Sequence, residues 1–138
     1  MKKYEQIPHT ADLAVRVYGK TLEELFENAA YAMFDLISEI KKVKKNEIVE
    51  IQVKALDQET LLIAWLNELL YICFSKKSLF CNFSIRCLTD IELNAGIIGQ
   101  DIGKDTGLIL KEIKAATYHD VNIKKTKTGY QVDIVFDV

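Results

Sequence analysis

This sequence has no surplus of charge of either sign. Its 138 residues carry 18 Lys and Arg against 20 Asp and Glu, a formal net charge of −2 with His neutral. A domain that binds duplex nucleic acid by itself has a clear basic excess, so direct DNA binding is not expected. Long hydrophobic runs are missing as well. The densest apolar stretch, Leu61 to Phe74, is interrupted by Asn67 and Glu68 and is too short to span a bilayer. Met1-Lys2-Lys3 runs on into Tyr-Glu-Gln instead of an apolar segment, so no secretory signal is expected and the chain is placed in the cytoplasm. Cysteine is scarce: Cys73, Cys81 and Cys87 form an odd set with no Cys-x-x-Cys spacing, which points to free thiols in a reducing compartment and away from a disulfide framework or a zinc site. The motifs of nucleophilic catalysis are also lacking. No serine stands in G-x-S-x-G, and neither His9 nor His119 has a nucleophile at a recognisable spacing. Gly96, Gly99, Gly103 and Gly107 match neither G-x-G-x-x-G nor a P-loop and read as a mobile loop.

What the chain does have is periodicity. Leu13, Val15 and Val17 alternate with more polar neighbours, as in a strand with one buried face. Thr21-Leu-Glu-Glu24 is a capping box, and Leu22, Leu25, Phe26, Ala29, Ala30, Met33, Phe34 and Ile37 then follow at steps of three and four, predicting a helix. Lys41 to Lys45 reads as a solvated linker, with a small basic patch as the alternative. Val49, Ile51, Val53 and Ala55 give a second strand, and Asp57 caps a second helix through about Phe74. That helix is apolar nearly all round, with Asn67 and Glu68 expected on its wet edge.

The second half reads as strands. Cys81, Phe83, Ile85 and Cys87 share one parity, which predicts that both cysteines face the core. Ile91, Leu93, Ala95 and Ile97 form the next strand, Ile113 to Val121 a long one, and Tyr130 to Asp137 the last. The order β-α-β-α-β-β-β-β implies an α+β domain spanning residues 1–138, a mostly antiparallel sheet with two helices packed on it.

Two segments carry candidate chemistry. Pro8-His9-Thr10-Ala11-Asp12 puts an imidazole, a hydroxyl and a carboxylate where a loop feeds the first predicted strand. Phe136-Asp137-Val138 offers a second Asp and, in a chain ending there, an α-carboxylate. By strand parity Asp137 falls on a polar face. If the last strand lies near the first, these oxygens suit a hard cation, since calcium takes about six to eight oxygens in irregular geometry while magnesium needs a stricter octahedron. The plain alternatives are that Asp12 caps its loop, Asp137 is an ordinary surface acid and His9 is a hydrogen-bonded loop histidine.

As a set these residues resemble the archease family. His9-Thr10-Ala11-Asp12 followed by Tyr18-Gly19-Lys20-Thr21-Leu22-Glu23-Glu24-Leu25-Phe26 looks like its opening, and Leu62-Ile63-Ala64-Trp65-Leu66-Asn67-Glu68-Leu69-Leu70-Tyr71 like its second helix. Glu112-Ile113-Lys114-Ala115-Ala116-Thr117-Tyr118-His119 is similar to its signature strand, and Val135-Phe136-Asp137-Val138 to its terminus. The resemblance implies a non-enzymatic accessory protein that promotes guanylylation of a GTP-dependent RNA ligase of the RtcB type, in tRNA splicing and RNA repair, with RNA met only inside the ligase complex. It implies a divalent-cation site, calcium or else magnesium or manganese, held by Asp12, Asp137 and Val138. It also implies a functional surface that includes Lys114, with His9 and His119 supporting the ligands or meeting the partner. Gly99-Gln100 and the histidine-free stretch Gly103 to Gly107 depart from the family pattern, so that loop is not expected to supply a ligand. Two other classes remain open: a metal-dependent phosphohydrolase or nuclease using Asp12 and Asp137, and a chaperone-like module for RNA-modifying enzymes.

Overall fold

The computed structural model describes residues 2–9 and 12–138, so Thr10 and Ala11 of the first motif lie outside the described residues. The expected α+β architecture holds, with its strands divided between two antiparallel sheets. In chain order the elements are β1 (Tyr4–Ile7), β2 (Leu13–Gly19), α1 (Leu22–Ile37), a 3-10 turn (Ile40–Lys42), β3 (Glu47–Lys54), α2 (Gln58–Lys76), β4 (Ser78–Leu88), β5 (Glu92–Asp101), β6 (Ala115–Ala116), β7 (Lys124–Thr126) and β8 (Gly129–Asp137). One sheet runs β1-β2-β8-β6, with β7 also on β8; the other runs β3-β5-β4.

Helix α1 starts where its capping residues dictate. Thr21 Oγ1 accepts from the Glu24 amide at 3.1 Å, and Glu24 Oε1 accepts in return from the Lys20 amide at 3.0 Å. The helix buries Leu25, Phe26, Ala29, Ala30, Met33, Phe34 and Ile37, the face its periodicity predicts. Asp57 caps α2 by accepting from the Thr60 amide at 2.8 Å. Helix α1 lies against β2 and β4, and α2 against β3, β4 and β6, so one core fills the space between both sheets. Trp65 sits inside it, fully buried, and its indole N–H is satisfied by the Phe26 carbonyl at 3.0 Å, which ties α2 to α1.

Three local expectations are corrected. The shared parity of Cys81 and Cys87 fails because β4 carries bulges between Phe80 and Asn82 and between Ile85 and Cys87. Each bulge adds a residue and reverses the faces that follow, so Cys87 is exposed while Phe83 is buried. The glycine-rich stretch is partly strand. Gly96 and Gly99 belong to β5, and at Gly99 the neighbouring backbone of β4 leaves no room for a side chain. A Cβ on Gly99 would lie 1.9 Å from the Leu79 carbonyl oxygen, and one on Gly96 would lie 2.6 Å from the Arg86 guanidinium that pairs with Glu50 across the sheet. Finally, the long strand expected over Ile113 to Val121 shrinks to Ala115–Ala116. One edge of β8 is shared: β6 occupies its C-terminal half, β7 its N-terminal half, and the chain turns between them, with Asp120 at φ +50°. The short strands β1 and β7 escape periodicity because neither has an alternating apolar face.

The bulge has a measurable consequence. Burial pushes the Cys73 thiol up to about 11 and raises Cys81 in the same direction, with a smaller opposing effect from Lys45. The thiolate is the reactive form. Titration of the native protein with a chromogenic disulfide at pH 8 is therefore expected to give one fast thiol, Cys87, then Cys81, with Cys73 reacting only on unfolding. A fast reaction that persists in Cys87→Ser would contradict this order.

Candidate functional site

The two ends of the chain meet through sheet register. Strand β2 pairs antiparallel with β8 from Leu13↔Phe136 to Gly19↔Tyr130. Asp12 immediately precedes Leu13 and Asp137 immediately follows Phe136, so the two acids stand one residue past the same cross-strand pair. Directly opposed residues in such a ladder have Cα atoms about 4.5–5.5 Å apart. Both acids are exposed, while Leu13 and Phe136 just inside them are buried. The polar face expected for Asp137 is real at the strand's end but interrupted along its length, since Val135 of the same parity is buried.

The signature segment joins from the other side of β8. Ala115 pairs with Asp137 and Ala116 with Phe136. The Lys114 amide donates to the Asp137 carbonyl at 2.7 Å, and the Thr117 amide to the Val135 carbonyl at 2.9 Å. Lys114 is therefore beside Asp137 through a backbone bond, with its side chain exposed. Beyond this short ladder the turn carries His119 to the same end of the molecule. The His9 and His119 rings meet edge to face, with centroids 5.8 Å apart. His9 Nδ1 is 3.8 Å from Asp12 Oδ2, too long for a hydrogen bond but within reach of an ion pair once the imidazole is protonated, and His119 Nε2 is 3.2 Å from Asp120 Oδ2. His9, Asp12, Lys114, His119, Asp137 and Val138 thus belong to one tip.

A residue expected elsewhere completes this arrangement. Asn67, expected on the wet edge of α2, is half-buried and grips β6. Its Oδ1 accepts from the Ala116 amide at 2.8 Å and its Nδ2 donates to the Ala116 carbonyl at 3.0 Å. Its amide satisfies both backbone groups on the outer edge of β6, as a neighbouring strand would. The available signal was an amide inside an otherwise apolar helix. Glu68 beside it remains half-exposed, closer to expectation.

Whether the tip fits a cation is decided by its donors. The carboxylates of Asp12 and Asp137 are hard oxygen ligands, and all three cysteines sit on α2 or β4, away from these strand ends, so the chemistry suits calcium or magnesium better than a thiophilic metal. Among the described residues no group of three or more His, Cys, Asp or Glu is disposed to hold a metal as it stands. Two carboxylates do not complete a coordination shell, so a cation at this place would need further oxygens from main chain, the residue after Asp137 and water.

Comparison with known proteins bears on the whole chain. The model of the archease protein family matches residues 4–138. The protein archease of Methanosarcina barkeri is 39% identical, over 99% of this chain and 97% of its own length. That of Pyrococcus abyssi is 37% identical with full coverage of both chains. The solution structure of Methanobacterium thermoautotrophicum protein 1598 superposes with a TM-score of 0.83 at 31% identity, covering all of both chains. The crystal structure of a Thermotoga maritima archease, described as a possible chaperone, shares the fold with a TM-score of 0.65 at 24% identity, covering 97% of this chain and 96% of that one. Among the described residues no helix is long and apolar enough to cross a membrane.

Proposed function

The chain belongs to the archease family, and from that premise we propose that it activates a GTP-dependent RNA ligase of the RtcB type in tRNA splicing and RNA repair. It acts by protein contact in the cytoplasm and is not itself the catalyst. The observation that carries this reading is the register that brings Asp12 and Asp137 to adjacent strand ends with Lys114 bonded to the same end. Such a tip presents carboxylates, a lysine and two imidazoles to a partner's nucleotide site. Asp12, Asp137 and Val138 would hold calcium, or magnesium or manganese in its place; when bound, the ion supplies positive charge that phosphate oxygens favour. Lys114 adds a mobile point charge for phosphate or a partner's acid. His9 and His119 lie against each other, His9 facing Asp12 and His119 facing Asp120, where they would meet the partner.

A near-neutral chain fits a protein partner better than naked RNA, whose binding is dominated by phosphate charge. RNA is met only within the ligase complex. The test mixes the purified protein with its cognate ligase, GTP and a divalent metal, and follows guanylylation of the ligase and repeated turnover. Stimulation well above ligase alone is expected; none would sink the proposal. The description of the Thermotoga relative as a possible chaperone favours one second reading. It requires suppression of aggregation of unrelated clients, unchanged in Asp12→Asn.

A further inference from the structure

Behind the tip lies an apolar groove of about 420 Å³ between the C-terminal half of α2 and the segment 102–113. We propose that this groove docks an amphipathic, acidic segment of a partner protein, with apolar side chains in the groove and carboxylates on its lysine rim. The proposal depends neither on the cation site nor on which enzyme is the partner.

Half of the lining is hydrocarbon with one thiol that burial keeps neutral, from Ile37, Cys73, Phe74, Ile102, Ile109 and Ile113, and the other half is polar or glycine, Thr106 included. The groove is held open by backbone bonds. The Ile37 carbonyl accepts from Leu110 at 2.7 Å and from Lys111 at 3.2 Å, the Glu39 amide donates to the Leu108 carbonyl at 3.1 Å, and the Ile102 amide donates to the Lys77 carbonyl at 2.9 Å. A groove built this way does not need to be ordered by its occupant, which removes one cost of binding.

Two features choose the occupant. First, apolar surface continues past the groove. Phe74 in the lining is still 51% exposed, and beyond it Leu110 is 62% exposed and Tyr71, one turn back along α2, 67%. A small ligand would fill the groove and leave Leu110 and Tyr71 wet, whereas a polypeptide segment covers both the groove and its apolar surround. Second, the rim is basic. Lys77, Lys104 and Lys111 stand around it against one acid, Glu112, and among the described residues none of the three lysines enters a salt bridge. Unpaired cations around an apolar floor select acidic flanks and disfavour basic ones. The groove also leads to the tip, because Ile113 in its lining directly precedes Lys114, which is bonded to Asp137.

The test uses three fluorescein-labelled 18-residue peptides. One is an amphipathic helix of Leu and Glu, one has Lys in place of every Glu, and one is a scrambled Leu/Glu sequence. Saturable anisotropy is expected with the first, weaker by about tenfold or more with the other two. Phe74→Ser and the double change Lys104→Glu/Lys111→Glu should each weaken the acidic peptide by about tenfold, while Lys124→Glu/Lys125→Glu on β7 should leave it unchanged. All these side chains are exposed, and thermal melts verify that each variant folds. Equal binding of acidic and basic peptides, no binding at all, or indifference to the lysine reversal would overturn the proposal. So would displacement of the peptide by dodecanoate at lower concentration than by unlabelled peptide, which would mark a small-molecule site. Self-association in sedimentation velocity that Phe74→Ser abolishes would overturn it in favour of a second copy of this chain.

Discussion

Replacing Asp137 with Asn is expected to weaken calcium binding on the order of 100-fold and to return ligase guanylylation to the level of ligase alone, with little change in thermal stability. Loss of a group that only orients a metal ligand costs about 10- to 100-fold in affinity, so removing a ligating charge should cost at least the upper figure. Stability should hold because the structural contacts of Asp137 are made by its backbone. Its carbonyl receives the Lys114 amide and it pairs with Ala115 in the ladder, while its exposed side chain only changes charge. Exposed substitutions of this kind fall within about 0.5 kcal/mol.

Asp12→Asn should behave alike, and the double variant should lose no more than about what the stronger single variant loses, as the proposal of one ion shared by both acids requires. Asp133→Asn is the informative control. It lies on the same strand, but its carboxylate is held by Arg16 through bonds of 2.8 and 3.1 Å. That change should leave calcium affinity intact while loosening the β2–β8 pair. Calorimetric titration in metal-free buffer, run beside thermal melts, separates the cases. If Asp137→Asn binds calcium as the parent does, the cation reading fails. If it melts far lower, Asp137 is structural.

These contrasts also explain what the sequence made legible. Strand and helix periodicity placed β2, both helices and β8, because each presents a continuous apolar face to one core. Asp12 and Asp137 were legible as exposed strand-end acids, and the family resemblance joined them. The register Leu13↔Phe136 is what makes them neighbours. Parity failed at Cys87, where bulges consume residues without any mark in composition. It failed again between Ile113 and Val121, because strand length there is set by what else occupies the edge of β8, a non-local fact. The role of Asn67 is illegible for the same reason. A lone amide on an apolar helix looks like a solvent edge until the strand it satisfies is known.

The second large effect therefore belongs to Asn67. Asn67→Leu keeps the volume and apolar character of α2 but leaves the Ala116 amide and carbonyl without partners at a position that is 3% exposed. Each buried backbone group orphaned in this way costs about 1–3 kcal/mol, which for a domain of this size lowers the melting temperature on the order of 10 °C. Glu68→Leu, one residue along the same helix, touches neither group and should stay within a few degrees of the parent. The loss should be local before it is global. The amides of Lys114, Ala116 and Thr117, all tied to β8 or to Asn67, should exchange with deuterium faster than those of β5, which no Asn67 contact supports. Because the Lys114–Asp137 bond belongs to this edge, ligase stimulation should fall in Asn67→Leu at temperatures where the chain is still folded. Unchanged exchange at Ala116 would show that the edge holds without the amide, and Asn67 would then have no part in building the tip.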